Sequence, residues 1–207
     1  MQIITLPVGL IQTNCYIVGC PESGEGVVID PGGHPERILA EIERLGLNIR
    51  YVLNTHAHFD HTDANGAIVK ATGAPLALHP GDRALLAASG GAAFFGLQTT
   101  PSPPPDLDLH DGDELEVGSL RFQVLHTPGH TPGHVCFYEP REGVLFDGDV
   151  LFYRGVGRTD LPGGSWQQLL DSIQRRLFIL PDETVVYSGH GPATTIGDEK
   201  RHNSWLR

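Results

Sequence analysis

Hydrophobic positions come in short bursts through the first 54 residues. Segments 2–8, 13–20 and 26–30 are rich in Ile, Val and Tyr and predict strands. Ile38, Leu39, Ile42 and Leu45 recur at helical spacing and predict a helix ended by Gly46. Tyr51-Val52-Leu53 predicts a strand that runs straight into a group of histidines. That group therefore falls on the loop leaving a strand's C-terminal end, where catalytic residues tend to collect.

The pattern then changes. Residues 63–73 and 80–89 read as helices, with a short strand from Pro75 to His79 between them. From Phe94 to Pro105 the sequence is irregular and stiffened by proline, which suits either a surface excursion beside a site or an ordinary connector. The second half repeats the first in outline: strands at 114–117, 119–126, 134–139 and 143–147, then a helix at 166–179 opened by a capping box of Ser165 and Gln168. A strand from Thr184 to Tyr187 leads to Gly189-His190-Gly191, and 197–206 reads as a short closing helix. Two strand-rich halves, each followed by helices, predict an α+β fold of two sheets packed face to face with helices outside.

Composition narrows the chemistry. At 207 residues and 40% hydrophobic content, one domain spanning 1–207 is expected. No apolar run approaches the roughly 20 residues needed to span a bilayer, and the first residues lack a signal-peptide pattern, so a cytoplasmic protein without a membrane partner is expected. Cys15, Cys20 and Cys136 are an odd number without CxxC spacing and lie in strand-like stretches, so they read as buried, reduced thiols. A net charge of −11 with no basic run argues against a nucleic-acid partner. Seven of the eleven histidines fall within 56–61, 126–134 and 190, which points to metal.

In Thr55-His56-Ala57-His58-Phe59-Asp60-His61, the two histidines at alternate positions of an extended segment project the same way and can reach one cation. Asp60 and His61 follow at once and can turn to a second. Imidazole and carboxylate together suit a borderline-soft ion such as Zn²⁺ or Fe²⁺, with Mn²⁺ also accommodated. Further donors stand at later strand ends: Thr127-Pro128-Gly129-His130-Thr131-Pro132-Gly133-His134, Phe146-Asp147-Gly148-Asp149 and Tyr187-Ser188-Gly189-His190-Gly191.

HxHxDH followed by TPGHTPGH, GD and GHG in that order resembles the metallo-β-lactamase superfamily over nearly the whole chain. The resemblance implies the αβ/βα four-layer sandwich, with two mixed sheets face to face. It also implies two divalent ions, one held by His56, His58 and His130, the other by Asp60, His61 and His190, with Asp149 bridging; Asp60 and Asp149 count as catalytic. Asp30, after a strand in Ile29-Asp30-Pro31-Gly32-Gly33, is similar to an early aspartate that supports the family's site, and His134 is expected to support it as well. Two such cations sharing a water lower its pKa towards about 7 and stabilise an oxyanion, so hydrolysis follows.

Gly148-Asp149-Val150-Leu151-Phe152, Gly155 to Asp160 and Ser188 to Pro192 resemble the short glyoxalase II-like hydrolases. That implies a small thioester substrate, S-lactoylglutathione or a relative, with Arg158 as a substrate contact. No C-terminal glutathione-binding helical domain is expected, since only seventeen residues follow His190. The competing readings are a persulfide dioxygenase using a single Fe²⁺, a lactonase of the same fold, and an RNA-processing nuclease disfavoured by the charge.

Overall fold

The computed structural model describes residues 1–206, which separate into two compact units: 1–109 with 116–120, and 110–115 with 121 onward. Each unit carries most of one six-stranded mixed sheet, so the chain is α+β.

The first sheet runs in chain order: β1 (Gln2–Val8), β2 (Thr13–Cys20), β3 (Glu25–Ile29), β4 (Asn48–Leu53), β5 (Leu76–Leu78) and β6 (Leu107–Asp108). The first three strands are antiparallel and the later pairs parallel. Helix α1 (Pro35–Leu45) makes the crossover from β3 to β4 and buries Ile38 and Ile42, as the spacing predicts. It ends at Gly46, where a φ of 63° places the cap in the left-handed region that glycine enters without cost. Val8, Ile17, Val28, Val52, Ile68 and Leu76 fill this unit's core. Because β3 and β4 are parallel, their C-terminal ends share one edge of the sheet. Asp30 N donates to Leu53 O there at 2.9 Å.

The second sheet has the order β14 (Thr194–Thr195), β13 (Val185–Ser188), β10 (Val144–Gly148), β9 (Val135–Glu139), β8 (Leu120–His126), β7 (Glu114–Val117). Here too one parallel pair, β10 with β13, brings two C-terminal ends together, and Gly189 N donates to Gly148 O at 2.7 Å. A separate ribbon of β11 (Leu151–Phe152) and β12 (Gly155–Val156) follows β10. The three cysteines lie in β2 and β9, buried and outside any disulfide.

Several boundaries differ from the sequence reading. The helix expected at 63–73 is α3 (Asn65–Thr72), and ahead of it the ligand segment forms its own helical turn, α2 (Phe59–Thr62). The helix expected at 80–89 is a 3-10 turn at Pro80–Asp82 followed by α4 (Arg83–Ala87). The helix expected at 166–179 is α5 (Trp166–Ser172), capped by the Ser165 hydroxyl as the capping box predicts, and then a π-helical turn at Ile173–Leu177. Leu169, Ile173 and Leu177 are all buried. A spacing of four drifts around a helix of 3.6 residues per turn. Widening the last turn to an i→i+5 bond, Phe178 N to Ile173 O at 2.8 Å, keeps the three on one side. Among the described residues no helix is long and apolar enough to cross a membrane.

The closing helix is α6 (Ile196–His202), and its Glu199 is wholly buried. Its carboxylate accepts from Thr194 Oγ1 at 2.7 Å, from Asn203 Nδ2 at 2.9 Å, and from Arg154 N and Nη1 at 3.0 Å each. Arg154, in the β11–β12 turn, sits at a φ of 59°, so this one carboxylate fixes a strained turn to the last helix. Glu199→Ala should cost about 2–4 kcal/mol, somewhat below the range for breaking a fully buried pair, because the Arg154 side chain is partly solvated. Urea unfolding with an unchanged m-value checks it.

Candidate metal centre

Within the first unit the four donors read from the sequence lie together. His56 follows β4, His58 is extended at the N-terminus of α2, and Asp60 and His61 lie on α2 itself, so a helical turn replaces the plain loop suggested by spacing. All four are buried. His56 and His58, His56 and His61, and Asp60 and His61 each bring ligand atoms within 4.8 Å of one another. The His56 and His58 rings stand edge to face with centroids 4.9 Å apart.

Asp30 organises this group. It sits in the left-handed region at a φ of 50°, a conformation that aspartate tolerates better than most residues. Its Oδ1 accepts from Thr55 N at 2.8 Å, and its Oδ2 lies 2.7 Å from Thr55 Oγ1 and 2.9 Å from His61 Nδ1. A carboxylate only accepts, so His61 carries its proton on Nδ1 and keeps a lone pair on Nε2. The Thr55 proton is spent on Asp30, so its oxygen is left to accept from His56 Nδ1 at 3.0 Å. His56 Nε2 then also holds a lone pair. One carboxylate thus sets the tautomer of two candidate ligands, directly for His61 and through Thr55 for His56.

Two contacts here escape sequence reasoning. Thr13, at the first position of β2, donates its hydroxyl to Asp60 Oδ2 at 2.8 Å. Asp82, buried in the 3-10 turn, accepts the N–H of Ala57, between the two histidines, at 3.0 Å. Neither lies in a motif, because both act through chain reversals that no local pattern encodes. Gly32 is required by a close approach: a Cβ there would stand 1.5 Å from Asp60 O.

The second unit holds the other three donors. Asp149 follows β10, His190 follows β13, and His130 lies in the loop after β8. His130 Nε2 and His190 Nε2 each lie 3.6 Å from Asp149 Oδ2, so one carboxylate oxygen faces two imidazoles. His130 Nδ1 meets Arg158 O at 2.7 Å, and a carbonyl can only accept, so Nε2 again carries the lone pair. Gly157 allows this: a Cβ there would stand 1.9 Å from Asp149 O. His134 Nε2 accepts the Asp149 N–H at 3.1 Å, while its Nδ1 meets Thr127 Oγ1 at 3.0 Å. It touches the ligand's backbone and holds it. The His126 ring, by contrast, meets a carbonyl, Pro132 O, at 3.0 Å.

Asp147, two residues before Asp149, is wholly buried and takes the Leu151 N–H on Oδ2 at 2.8 Å. Burial first, then the neighbouring Asp149 charge, pushes its carboxyl well above the ordinary range. Arg158 is bound through Nε and Nη2 to Asp160 at 2.7 and 2.8 Å. The guanidinium holds the Asp160 carboxyl down at about 2, so this exposed pair stays ionised at neutral pH. The substrate contact expected of Arg158 must therefore compete with Asp160.

The donor set fits a divalent ion. Lone-pair nitrogens facing carboxylate oxygens at 3.3 Å (His61 to Asp60) and 3.6 Å (His130 to Asp149) have no proton to share and repel one another unless a cation lies between them. Ligands bound at about 2.0–2.2 Å around a tetrahedral ion stand roughly 3.3–3.6 Å apart, the separation seen. Asp30→Asn puts a donor where His61 Nδ1 needs an acceptor and moves that ring's proton to Nε2. Metal affinity should fall about 10–100-fold, read by competition with a chelator while circular dichroism stays unchanged. An unaltered affinity would show that Asp30 does not set the tautomer.

Comparison with known proteins places this arrangement. Residues 8–190 match the family model described as the metallo-beta-lactamase superfamily. A hydroxyacylglutathione hydrolase of Haemophilus influenzae is 39% identical over 209 residues, covering all of this chain and 98% of that protein. Among solved structures, the BLEG-1 B3 metallo-beta-lactamase superposes with a TM-score of 0.93 at 42% identity, covering 99% of both chains. A di-iron-bound form of TTHA1623 superposes at 0.90 and 44% identity, covering both chains fully.

Proposed function

The chain belongs to the metallo-β-lactamase superfamily and is a metal-dependent hydrolase of it, and within that family we propose that it is a glyoxalase II-like thioesterase, hydrolysing S-lactoylglutathione or a related small thioester. The observation that carries this reading is the pairing of lone-pair imidazoles with carboxylate oxygens at metal-ligand separations in both units. The full-length likeness to a hydroxyacylglutathione hydrolase supports a thioester as the substrate. In this reading the 207 residues work as one catalytic domain, in the cytoplasm.

His56, His58 and His130 would hold one divalent ion, and Asp60, His61 and His190 the other, with Asp149 shared. Zinc or iron suits this mixture of imidazole and carboxylate, and the di-iron form of a relative favours iron. When bound, such ions lower the pKa of a shared water towards about 7 and act as Lewis acids towards a carbonyl oxygen. The chain's own residues do the rest. Asp30 and Arg158 O hold the protons of His61 and His130 on Nδ1, so that Nε2 remains a ligand. Thr13 and the His134 ring orient the Asp60 and Asp149 segments. Among the described residues none is singled out as a general acid, and a thioester needs none, because a thiolate leaves readily.

A second reading has its own support: the 42% identity to a B3 metallo-beta-lactamase suggests β-lactam hydrolysis at the same centre. A panel of S-lactoylglutathione, lactones and β-lactams on metal-loaded protein separates the two.

Purified, fully loaded protein should hold about two metal ions per chain. Asp149→Ala should lose metal and activity more completely than His134→Ala, which is expected to cost roughly 10–100-fold. Equal losses count against a shared Asp149.

S-lactoylglutathione should be hydrolysed, much faster than any β-lactam but with a high KM, since Arg158 is already engaged by Asp160. Arg158→Ala should raise KM further with little change in kcat, the sign of lost uniform binding. Brisk oxygen uptake with glutathione persulfide and no thioester turnover would overturn the hydrolase assignment in favour of a dioxygenase.

A further inference from the structure

The proline-stiffened stretch after α4 is built onto the ligand segment at both of its ends. Near its start Gly90, at a φ of 61°, presses on the ligand backbone: a Cβ there would stand 2.2 Å from Phe59 N and 2.7 Å from Ala57 O. At its far end Thr100 N donates to Asp63 Oδ1 at 2.7 Å, and Ser102 Oγ accepts from Asn65 Nδ2 at 2.9 Å. Just upstream, Asp82 holds the Ala57 N–H. The position of residues 90–100 is therefore set by the main chain that carries His58, Asp60 and His61.

What this anchored stretch presents is apolar. Phe94 is 69% exposed and Phe95 46% exposed. The Phe95 ring packs on Phe59, the residue between His58 and Asp60, with centroids 5.7 Å apart. A second apolar pair reaches the same turn by another route. Leu10 and Ile11 are 75% and 48% exposed in the β1–β2 turn, two to three residues before Thr13, whose hydroxyl holds Asp60. Neither 9–12 nor 88–105 contains a charged residue. Adjacent exposed aromatics on a pinned segment form a patch of the kind that marks a ligand surface, and with no charge in either segment nothing there recognises a carboxylate.

We infer that these four side chains, Phe94 and Phe95 foremost, determine specificity by taking up an uncharged, apolar arm of the substrate next to the scissile carbonyl. The preferred substrates are thioesters with an aryl or branched alkyl arm, and S-lactoylglutathione is a poor member of the class. This rests on the hydrolase reading above.

The test uses metal-loaded full-length protein and two series of neutral thioesters. One series varies the acyl group from acetyl to phenylacetyl on a fixed small thiol; the other keeps acetyl and varies the thiol from methyl to benzyl. In one of the two, kcat/KM should rise by about 10-fold or more from the smallest to the aromatic member, which also says which side carries the arm. Phe94→Ser and the double variant Phe94→Ser/Phe95→Ser should reduce that ratio towards one; Phe94 is exposed enough that its single change leaves folding intact. Calorimetric titration with the non-hydrolysable S-benzyl and S-methyl thioethers of the same thiol gives a readout that needs no turnover. The wild type should favour the benzyl compound by about 10-fold and the variants should not. A flat profile in the wild type, or a rise that survives both substitutions, overturns the inference. Absent thioester turnover with the thioether preference intact overturns the thioesterase reading and leaves the apolar subsite standing.

Discussion

One buried carboxylate does more than any other group to prepare the first unit's histidine cluster for a metal ion. Asp30 takes the backbone N–H and hydroxyl of Thr55 and the ring N–H of His61, and through Thr55 it also settles the proton on His56. A histidine that keeps its proton on the wrong nitrogen cannot bind a metal, however well placed its ring. The parallel pairing of β3 and β4 is what makes the arrangement affordable, because it ends both strands at the same edge and sets Asp30 beside Thr55. The left-handed backbone of Asp30 is the local cost of that placement.

The second unit solves the same problem with a carbonyl. Arg158 O accepts the His130 ring proton, and the glycine before it lets the chain pass against Asp149. Its parallel pair, β10 and β13, again ends two strands side by side and delivers Asp149 and His190. A supporting histidine rather than a carboxylate braces the ligand's backbone. The side chain of Arg158 meanwhile faces Asp160, so one residue serves the centre through its main chain and the surface through its charge.

Much of this is legible in the sequence, for physical reasons that also define what is not. Most strands of the two sheets declare themselves by runs of branched residues, and the donors by clustering at strand ends, whereas β6 and β14, at two residues each, are too short to show a pattern. The helical turn that carries Asp60 and His61 does not, because Phe59–Thr62 is too short to show a period. Nor do Thr13 and Asp82, each a lone polar residue whose role exists only once distant segments meet. The π-helical turn at Ile173–Leu177 hides inside a spacing of four that also reads as an ordinary helix. The character of 94–105 is undecidable from composition, since a connector and a built element share the same prolines and small residues; only the anchors at Gly90 and Thr100 distinguish them.

Gly32, Gly90 and Gly157 stand where a supporting segment's main chain touches the main chain of a ligand segment, and at each a single added carbon would lie within 2.3 Å of that backbone. The consequence concerns how such a centre can diversify. A donor side chain, or an aromatic on the pinned stretch, can be exchanged one residue at a time while the backbone stays as it is. These glycines cannot, because any replacement must move two segments at once. A lineage is therefore free to vary ion and substrate over a frame it cannot revise stepwise.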